Sequence, residues 1–364
     1  MRLSPTGLKK SMERNTPKVT IRDLAKRADV SPATVSRVIN NSGYVSEEVR
    51  ERVEKVIDEL GYLPDTRARE LRGKPSKLVA LIIPNIKNVF YTTLAEAVET
   101  NLRDLGFTMV LGVSQEDHLL LLDYFQSFGQ RRVDGILYVP PAKGEFSKQT
   151  RQLVAQGVPM VEVNRRKEVD LLDGVVADNF RGAYQATKHL IELGHKKIAL
   201  IVGSAEINTG RDRIQGYKQA MHDAGLETDP DLIKIGTFVK EFGFQATEEL
   251  LALPMRPTAI FSSSNRLVLG TMSVLMEHKI KVPSDMSVIA FDNVEWFQYF
   301  NPPITTVDIA IEEMAVLAVQ LLMRRIQEDA PPQKPRTYSL STMLIERKSC
   351  RHITQEGSET AKND

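Results

Sequence analysis

The chain of 364 residues has one cysteine, Cys350, one tryptophan, Trp296, and almost no net charge, with 48 Lys and Arg against 47 Asp and Glu. A lone cysteine excludes an intrachain disulfide and a zinc site built on cysteines. No apolar run reaches membrane-spanning length, and the basic N-terminus lacks the apolar stretch of a secretion signal. A reducing, cytoplasmic home with no membrane partner is therefore expected. The six histidines, at 118, 189, 195, 222, 278 and 352, are scattered without metal-ligand spacing. No glycine-rich phosphate loop leads into a helix, and no Ser/His/Asp set stands out. No catalytic residue, metal or cofactor is expected. What remains, 42% apolar over this length, can bury one or two substantial cores.

Two short helix signatures separated by a four-residue turn occupy residues 20–39. Thr20 can cap the first, with Asp23 at the favourable end of the helix dipole. Ser31 can cap the second, and Pro32 in its first turn needs no amide partner. Ile21, Leu24, Ala25 and Ala28 share a face, and Val30, Val35, Val38 and Ile39 supply the crossing helix with apolar surface. Ser31, Ala33, Thr34, Ser36, Arg37 and Asn40 are left on the outer side, a short polar set suited to base edges and phosphates. The pattern predicts a helix-turn-helix and double-stranded DNA as partner. A third helix over 47–60 follows, cappable by Ser46, with Val49, Val53, Val56, Ile57 and Leu60 at helical spacing and Gly61 ending it.

Charge is uneven along the chain. Residues 1–75 carry 16 basic and 11 acidic side chains, and the remainder 32 and 36. A positive head on a mildly negative body draws a polyanion to one end. After Pro64, residues 65–72 are rich in arginine and too short to persist alone as a helix in water. Placed against DNA this segment could fold, with Leu71 as an apolar wedge and Arg69 and Arg72 beside phosphates. A charged linker is the alternative.

From residue 77 the rhythm changes. Apolar strands near 78–83, 108–112, 135–139 and 160–163 alternate with helices near 91–105, 119–128 and 148–155. The unit then repeats through strands at 198–202, 232–235, 259–261 and 287–291, with helices at 181–193, 211–224, 243–252 and 266–277. A late helix near 311–328 and one strand-like stretch, 337–345, follow. Continuous apolar strands flanked by helices predict parallel sheets covered on both faces. Two such units make a bilobed molecule, with a small ligand between the lobes at the carboxyl ends of the strands.

At this point the chain closely resembles the LacI/GalR family of bacterial transcriptional regulators. The resemblance rests on Val19-Thr-Ile-Arg-Asp-Leu-Ala-Lys-Arg-Ala-Asp-Val-Ser-Pro-Ala-Thr-Val-Ser-Arg-Val-Ile-Asn40, Val45-Ser-Glu-Glu-Val-Arg-Glu-Arg-Val53 and Gly61-Tyr-Leu-Pro64. Arg213-Ile-Gln-Gly-Tyr217, Val282-Pro-Ser-Asp-Met-Ser-Val-Ile-Ala-Phe-Asp292 and Pro303-Ile-Thr-Thr-Val307 extend it to nearly the whole chain. It implies an α/β fold: an N-terminal three-helix helix-turn-helix head, a short hinge helix, and a bilobed periplasmic-binding-protein-like core of two doubly wound parallel sheets. The boundaries expected are a disordered extension at 1–17, the head at 18–63, hinge helix and linker at 64–75, the core at 76–348 and a flexible tail at 349–364. Within the core, the N-lobe would hold about 76–177 and 308–335, and the C-lobe about 178–307 and 336–348.

The resemblance further implies a homodimer, or a dimer of dimers, on a pseudo-palindromic operator. Pro32, Ala33 and Ser36 match its base-reading neighbourhood, Thr34, Arg37 and Asn40 its backbone contacts, and Leu71 its minor-groove wedge. Asp65 in place of the usual Asn, and Glu70, add carboxylates to the hinge. The effector would be a sugar, sugar acid or sugar phosphate held by Tyr91, Asn164, Arg213, Phe238 and Asp292, with Arg211 as a second cation if its loop turns inward. Asn164 stands where many members carry Asp, which makes an acidic sugar more tolerable. Ser264 and Asn265 replace an amide and a carboxylate at the cleft edge. Trp296 either covers the cleft mouth or packs within a lobe. The function implied is repression of carbohydrate uptake or catabolism genes. An enzyme, or a periplasmic-type sugar-binding protein, would account for paired lobes, but neither needs the first 75 residues.

Overall fold

The computed structural model describes residues 19–62, 76–130, 133–327 and 334–353. The chain divides into two compact units, one up to Lys74 and one from Pro75. The expected extension at 1–17, the hinge helix and linker at 64–75 with Arg69, Leu71 and Arg72, and the tail beyond 353 lie outside the described residues.

The first unit contains α1 (Ile21–Arg27), α2 (Pro32–Ile39) and α3 (Glu47–Leu60). Thr20 and Asp23 form a reciprocal capping box, the Asp23 carboxylate accepting the Thr20 N–H at 2.8 Å and hydroxyl at 2.6 Å. These bonds hold the Asp23 carboxyl below its usual range. The Ser31 hydroxyl accepts the Thr34 N–H at 3.1 Å, so α2 is capped as its sequence predicts. Ser46 stands at the cap position of α3 in an extended conformation but makes no side-chain capping bond. Leu24, Ala25, Ala28, Val35, Val38, Val53, Val56 and Tyr62 close the core, while Leu60, expected on the same face, is exposed at the last residue of α3.

The second unit is built on two six-stranded sheets. The first uses β1 (Leu78–Ile83), β2 (Thr108–Val113), β3 (Gly135–Tyr138), β4 (Met160–Val163), β5 (Asp173–Ala177) and β11 (Thr337–Leu340), in the order β11-β5-β4-β3-β1-β2, all parallel. The second uses β6 (Ile198–Val202), β7 (Ile233–Ile235), β8 (Ala259–Ser262), β9 (Ser287–Phe291), β10 (Thr305–Ile309) and β12 (Thr342–Ile345), in the order β12-β10-β9-β8-β6-β7. Only the β10–β12 pairing is antiparallel. Central strands are buried along their whole length because helices cover both faces. These are α4 (Val89–Asp104), α5 (His118–Gln130) and α6 (Ser147–Ala155) on the first sheet. On the second lie α7 (Asn179–Glu192), α8 (Asn208–Asp223), α9 (Lys240–Leu251) and α10 (Asn265–Glu277). No helix among the described residues is long and apolar enough to cross a membrane.

The chain crosses between lobes after β5, after β10 and between β11 and β12. The late helix α11 (Ile311–Gln327) leaves the second sheet and packs on α4 and on β3, β4 and β5 of the first. The stretch 337–345, read as one strand of the C-lobe, is two: β11 joins the first sheet and β12 the second, broken at Ser341. β5 is absent from the sequence reading because its five residues begin with Asp173 and Gly174, which are depleted in strands. Residues 349–353, expected to open a flexible tail, are docked. Ser349 Oγ donates to Val288 O at 2.6 Å and accepts the Thr305 N–H at 2.8 Å, and the Ile353 N–H donates to Leu193 O at 2.8 Å.

Candidate functional site

The carboxyl ends of both sheets converge on one narrow cavity, with a free volume of about 30 Å³. The segments after β1, β2 and β4 bring Asn88, Phe90, Tyr91, Glu116, Asn164 and Arg165 to it. The segments after β6, β7, β8 and β9 bring Thr209, Arg213, Phe238, Ser264 and Asp292. Four residues at or beside these strand ends adopt the left-handed region without being glycine: Gln115 at φ 54°, Glu116 at 60°, Asn164 at 66° and Asp292 at 72°. Backbone strain of this kind persists only where surrounding structure enforces it, and it concentrates at binding sites.

Arg213 is the hub of the second lobe's side. Its Nε donates to Asn179 Oδ1 at 2.9 Å, one Nη to the Ser263 carbonyl, and the other Nη stands 3.9 Å from Asp292 Oδ1. Burial pulls its pKa down to about 10 despite the carboxylate, so it remains charged at neutral pH. Burial likewise raises the Asp292 carboxyl, against the pull of Arg213 and two bonds from Asn265. From the first lobe, Arg165 Nη1 donates to Glu116 Oε2 at 2.9 Å and to Pro140 O at 3.1 Å. Tyr91 is buried beside it, its hydroxyl pushed up to about 12 by burial. Both guanidinium groups lie 6.0 Å from the centre of the Phe238 ring. That ring lies over Gly203, where any Cβ would come within 2.2 Å of it. Asn164 Oδ1, Arg165 Nε and Thr209 Oγ1 are buried without a hydrogen-bond partner among the described residues. An aromatic face, two arginine–carboxylate pairs and unspent polar atoms together suit a compact ligand rich in hydroxyls.

In the first unit, Ser31, Pro32, Ala33 and Arg37 are exposed, and Thr34 and Ser36 are half-buried on the same short helix. Asn40 is also half-buried, and its amide donates back to Ser36 O at 2.7 Å, closing the end of α2. Thr20 is exposed but occupied by its capping box. Tyr44, which the sequence reading passed over, is 90% exposed.

Residues 20–65 match the bacterial regulatory proteins of the lacI family, and residues 187–350 match a periplasmic binding protein-like domain. The HTH-type transcriptional repressor PurR of Actinobacillus pleuropneumoniae serotype 3 (strain JL03) is 34% identical over 337 residues, 92% of this chain and 99% of that protein. The chain belongs to the lacI family. It is a DNA-binding transcriptional regulator and not an enzyme, and members of the family bind operator DNA and small-molecule effectors. Among solved structures, a lac repressor dimer bound to operator and the anti-inducer ONPF superposes with a TM-score of 0.81 at 26% identity, over 92% of this chain and 99% of that one. A complex of the transcriptional regulator CelR with cellobiose gives 0.69 at 31% identity, over 91% and 99%.

Of the effector residues expected for this lacI-family chain, the structure gathers Tyr91, Asn164, Arg213, Phe238, Ser264 and Asp292 around one cavity. Arg211 is not among them. Its side chain is 54% exposed and pairs with Asp212, the Nε–Oδ1 distance being 3.1 Å. Residues two apart on a helix point about 200° away from each other, so α8 cannot aim both Arg211 and Arg213 into the cleft. Asn265 is buried but bonded to Asp292 and Asn88 instead of facing the cavity. Ser264 does face it and also caps α10 through Leu267 N–H. Trp296 packs against Phe297 and Phe300 within the second lobe, its ring centre 4.5 Å from that of Phe297. Sequence reasoning missed Asn88, Glu116, Arg165 and Thr209. Arg165 follows Asn164 directly, and its position two residues past the end of β4 was the available signal.

Proposed function

We propose that this lacI-family regulator is a repressor of carbohydrate uptake or catabolism genes, acting as a homodimer on a pseudo-palindromic operator. A sugar or sugar derivative between the lobes sets its operator affinity. The observation that carries the reading is the Arg213–Asp292 pair beside the Phe238 ring, with three unspent buried polar atoms around the same cavity. Adjacent hydroxyls would bridge guanidinium and carboxylate, and the sugar's C–H face would rest on the ring. The cavity sets Arg165 and Arg213 against Glu116 and Asp292, so its charge is balanced and favours a neutral sugar over an acid or phosphate. The cellobiose of the CelR complex and the ribose bound to an Enterococcus faecium LacI-family regulator support the same ligand class.

For the DNA side, Ser31, Pro32, Ala33, Thr34, Ser36 and Arg37 supply the contact surface, with Thr20 and Asn40 holding the helix ends. Arg69, Leu71 and Arg72, outside the described residues, complete the set in this proposal. The dimer in the lac repressor structure supports a two-fold assembly reading two half-sites. The test is a thermal-shift panel of neutral sugars, sugar acids, sugar phosphates and purine bases, followed by operator binding with each hit. A neutral monosaccharide or disaccharide that raises the melting temperature and alters operator affinity is the expected outcome. Hits confined to the bases, whose flat rings would also stack on Phe238, would replace the sugar reading.

A further inference from the structure

Asn265 opens α10 at the edge of the cavity, almost wholly buried, and its carboxamide nitrogen spends both of its N–H groups. One donates to Asp292 Oδ2 at 3.0 Å and the other to Asn88 Oδ1 at 2.8 Å. Asp292 follows β9 in the second sheet, whereas Asn88 follows β1 in the first, so a single nitrogen spans the cleft. Asn88 Oδ1 also accepts the Phe90 N–H at 3.1 Å and so caps α4. The backbone N–H of Asn265 gives Asp292 Oδ2 another bond, at 3.2 Å.

We infer that the Asn265 carboxamide is a latch that couples occupancy of Asp292 to closure of the two lobes. The inference rests on the cleft being the effector site. Among short side chains only an amide offers two coplanar N–H donors while staying neutral. A carboxylate at this position would have no donor and would face the Asp292 carboxylate and the Asn88 carbonyl oxygen. An effector bonded to Arg213 and Asp292 fixes that carboxylate. Asn265 then carries its position to Asn88, to α4 and to α11, which packs on α4. Because Asn265 and Asn88 belong to different lobes, opening of the cleft would break that chain, and such a difference is what a ligand needs in order to shift the balance between two states. Asn265 is thus a positioning residue and not an effector contact.

The test uses the full chain with Cys350→Ser and spin labels on Lys87→Cys and Glu241→Cys, two exposed positions beside Asn88 and Phe238. Distances between the labels need no effector. Asn265→Asp and Asn265→Ala should both shift the population from the short to the long distance, by roughly fivefold or more for one lost hydrogen bond. Asn88→Asp should keep the wild-type distance, because its carboxylate accepts the same N–H and still caps Phe90. Wild-type distances in both Asn265 variants would overturn the latch. So would an Asn88→Asp variant that opens as far as Asn265→Asp. A sugar panel without hits would overturn the proposed ligand class alone, since the label distances decide the latch without any ligand.

Discussion

The Arg213 guanidinium lies 3.6 Å from the centre of the Phe291 ring, and its other partners are Asn179, the Ser263 carbonyl and, at 3.9 Å, Asp292. One side chain thus joins helix α7, the loop after β8 and the end of β9. At 3% exposure it is part of the packing as well as of the cavity. Arg213→Ala should weaken effector binding by about 2–5 kcal/mol, the usual cost of removing one partner of a buried charged hydrogen bond. It should also lower the melting temperature. Asp292→Asn keeps the shape and the bonds near Asn265 but leaves Arg213 without a carboxylate, so its loss should fall mainly on the effector. Calorimetric titration and melting curves on the two variants separate these effects.

Arg37 stands on the exposed side of α2, away from the Val35 and Val38 core. Arg37→Ala should leave the first unit folded and weaken DNA binding. If the contact is to phosphate, the loss should be similar for all sequences and the slope of log affinity against log salt should fall by about one. A loss confined to the operator, with the slope unchanged, assigns Arg37 to base reading. Binding titrations at several salt concentrations on operator and unrelated DNA decide between the two.

The head was legible because its signals are local. A capping box at Thr20 and Asp23, a serine cap followed by proline, and valines at helical spacing each specify a structure within a few residues. The paired α/β lobes were legible from strands such as β1 and β6, whose buried faces on both sides leave continuous apolar runs. The cleft was only half legible, because its side chains come from loops whose direction depends on distant contacts. Arg213 was placed by resemblance and Arg211 only on condition that its loop turn inward, and helical geometry separates them once the helix start at Asn208 is known. Position alone marked Arg165 as a strand-end residue, and its pairing with Glu116 shows only in the folded chain. The lobe membership of β11 and β12 depends on a single residue, Ser341, between two strands that pair with different sheets.

Helices α9 and α10 touch through their backbones. A Cβ added at Gly270 would lie 2.2 Å from Lys240 O and 2.3 Å from Phe244 N, and one at Gly243 would lie 2.2 Å from Leu267 O. Neither contact can be relieved by turning a side chain, so the helices must separate. Gly270→Ala should destabilise the second unit by about 1–3 kcal/mol or more, the range for overpacking a close contact. It should also disturb Asn265 and Ser264 at the start of the same helix. Denaturant titration of the full chain checks the first effect, and effector affinity the second.

His195 is buried where the docked segment 349–353 meets the second lobe. Its Nε2 faces Arg351 O at 3.2 Å and so carries the proton, leaving Nδ1 to accept from the Thr258 hydroxyl at 2.8 Å. Burial lowers its pKa to about 4, below the usual value near 6.5. The folded state therefore binds this proton less readily than the unfolded state does. The stability contribution is complete above about pH 6.5, is lost as pH falls, and levels off near pH 4. The full loss amounts to no more than about 3 kcal/mol for one group. His195→Gln, which can still donate to Arg351 O, should be less stable than wild type at pH 7.5, and the gap should narrow toward pH 4.5. Comparing the two proteins at each pH cancels the carboxylates, such as Asp292, whose raised pKa acts in the opposite direction. Denaturant midpoints measured from pH 4.5 to 7.5 provide the check. A gap that stays constant across that range would mean that His195 is not neutral and buried in the folded protein.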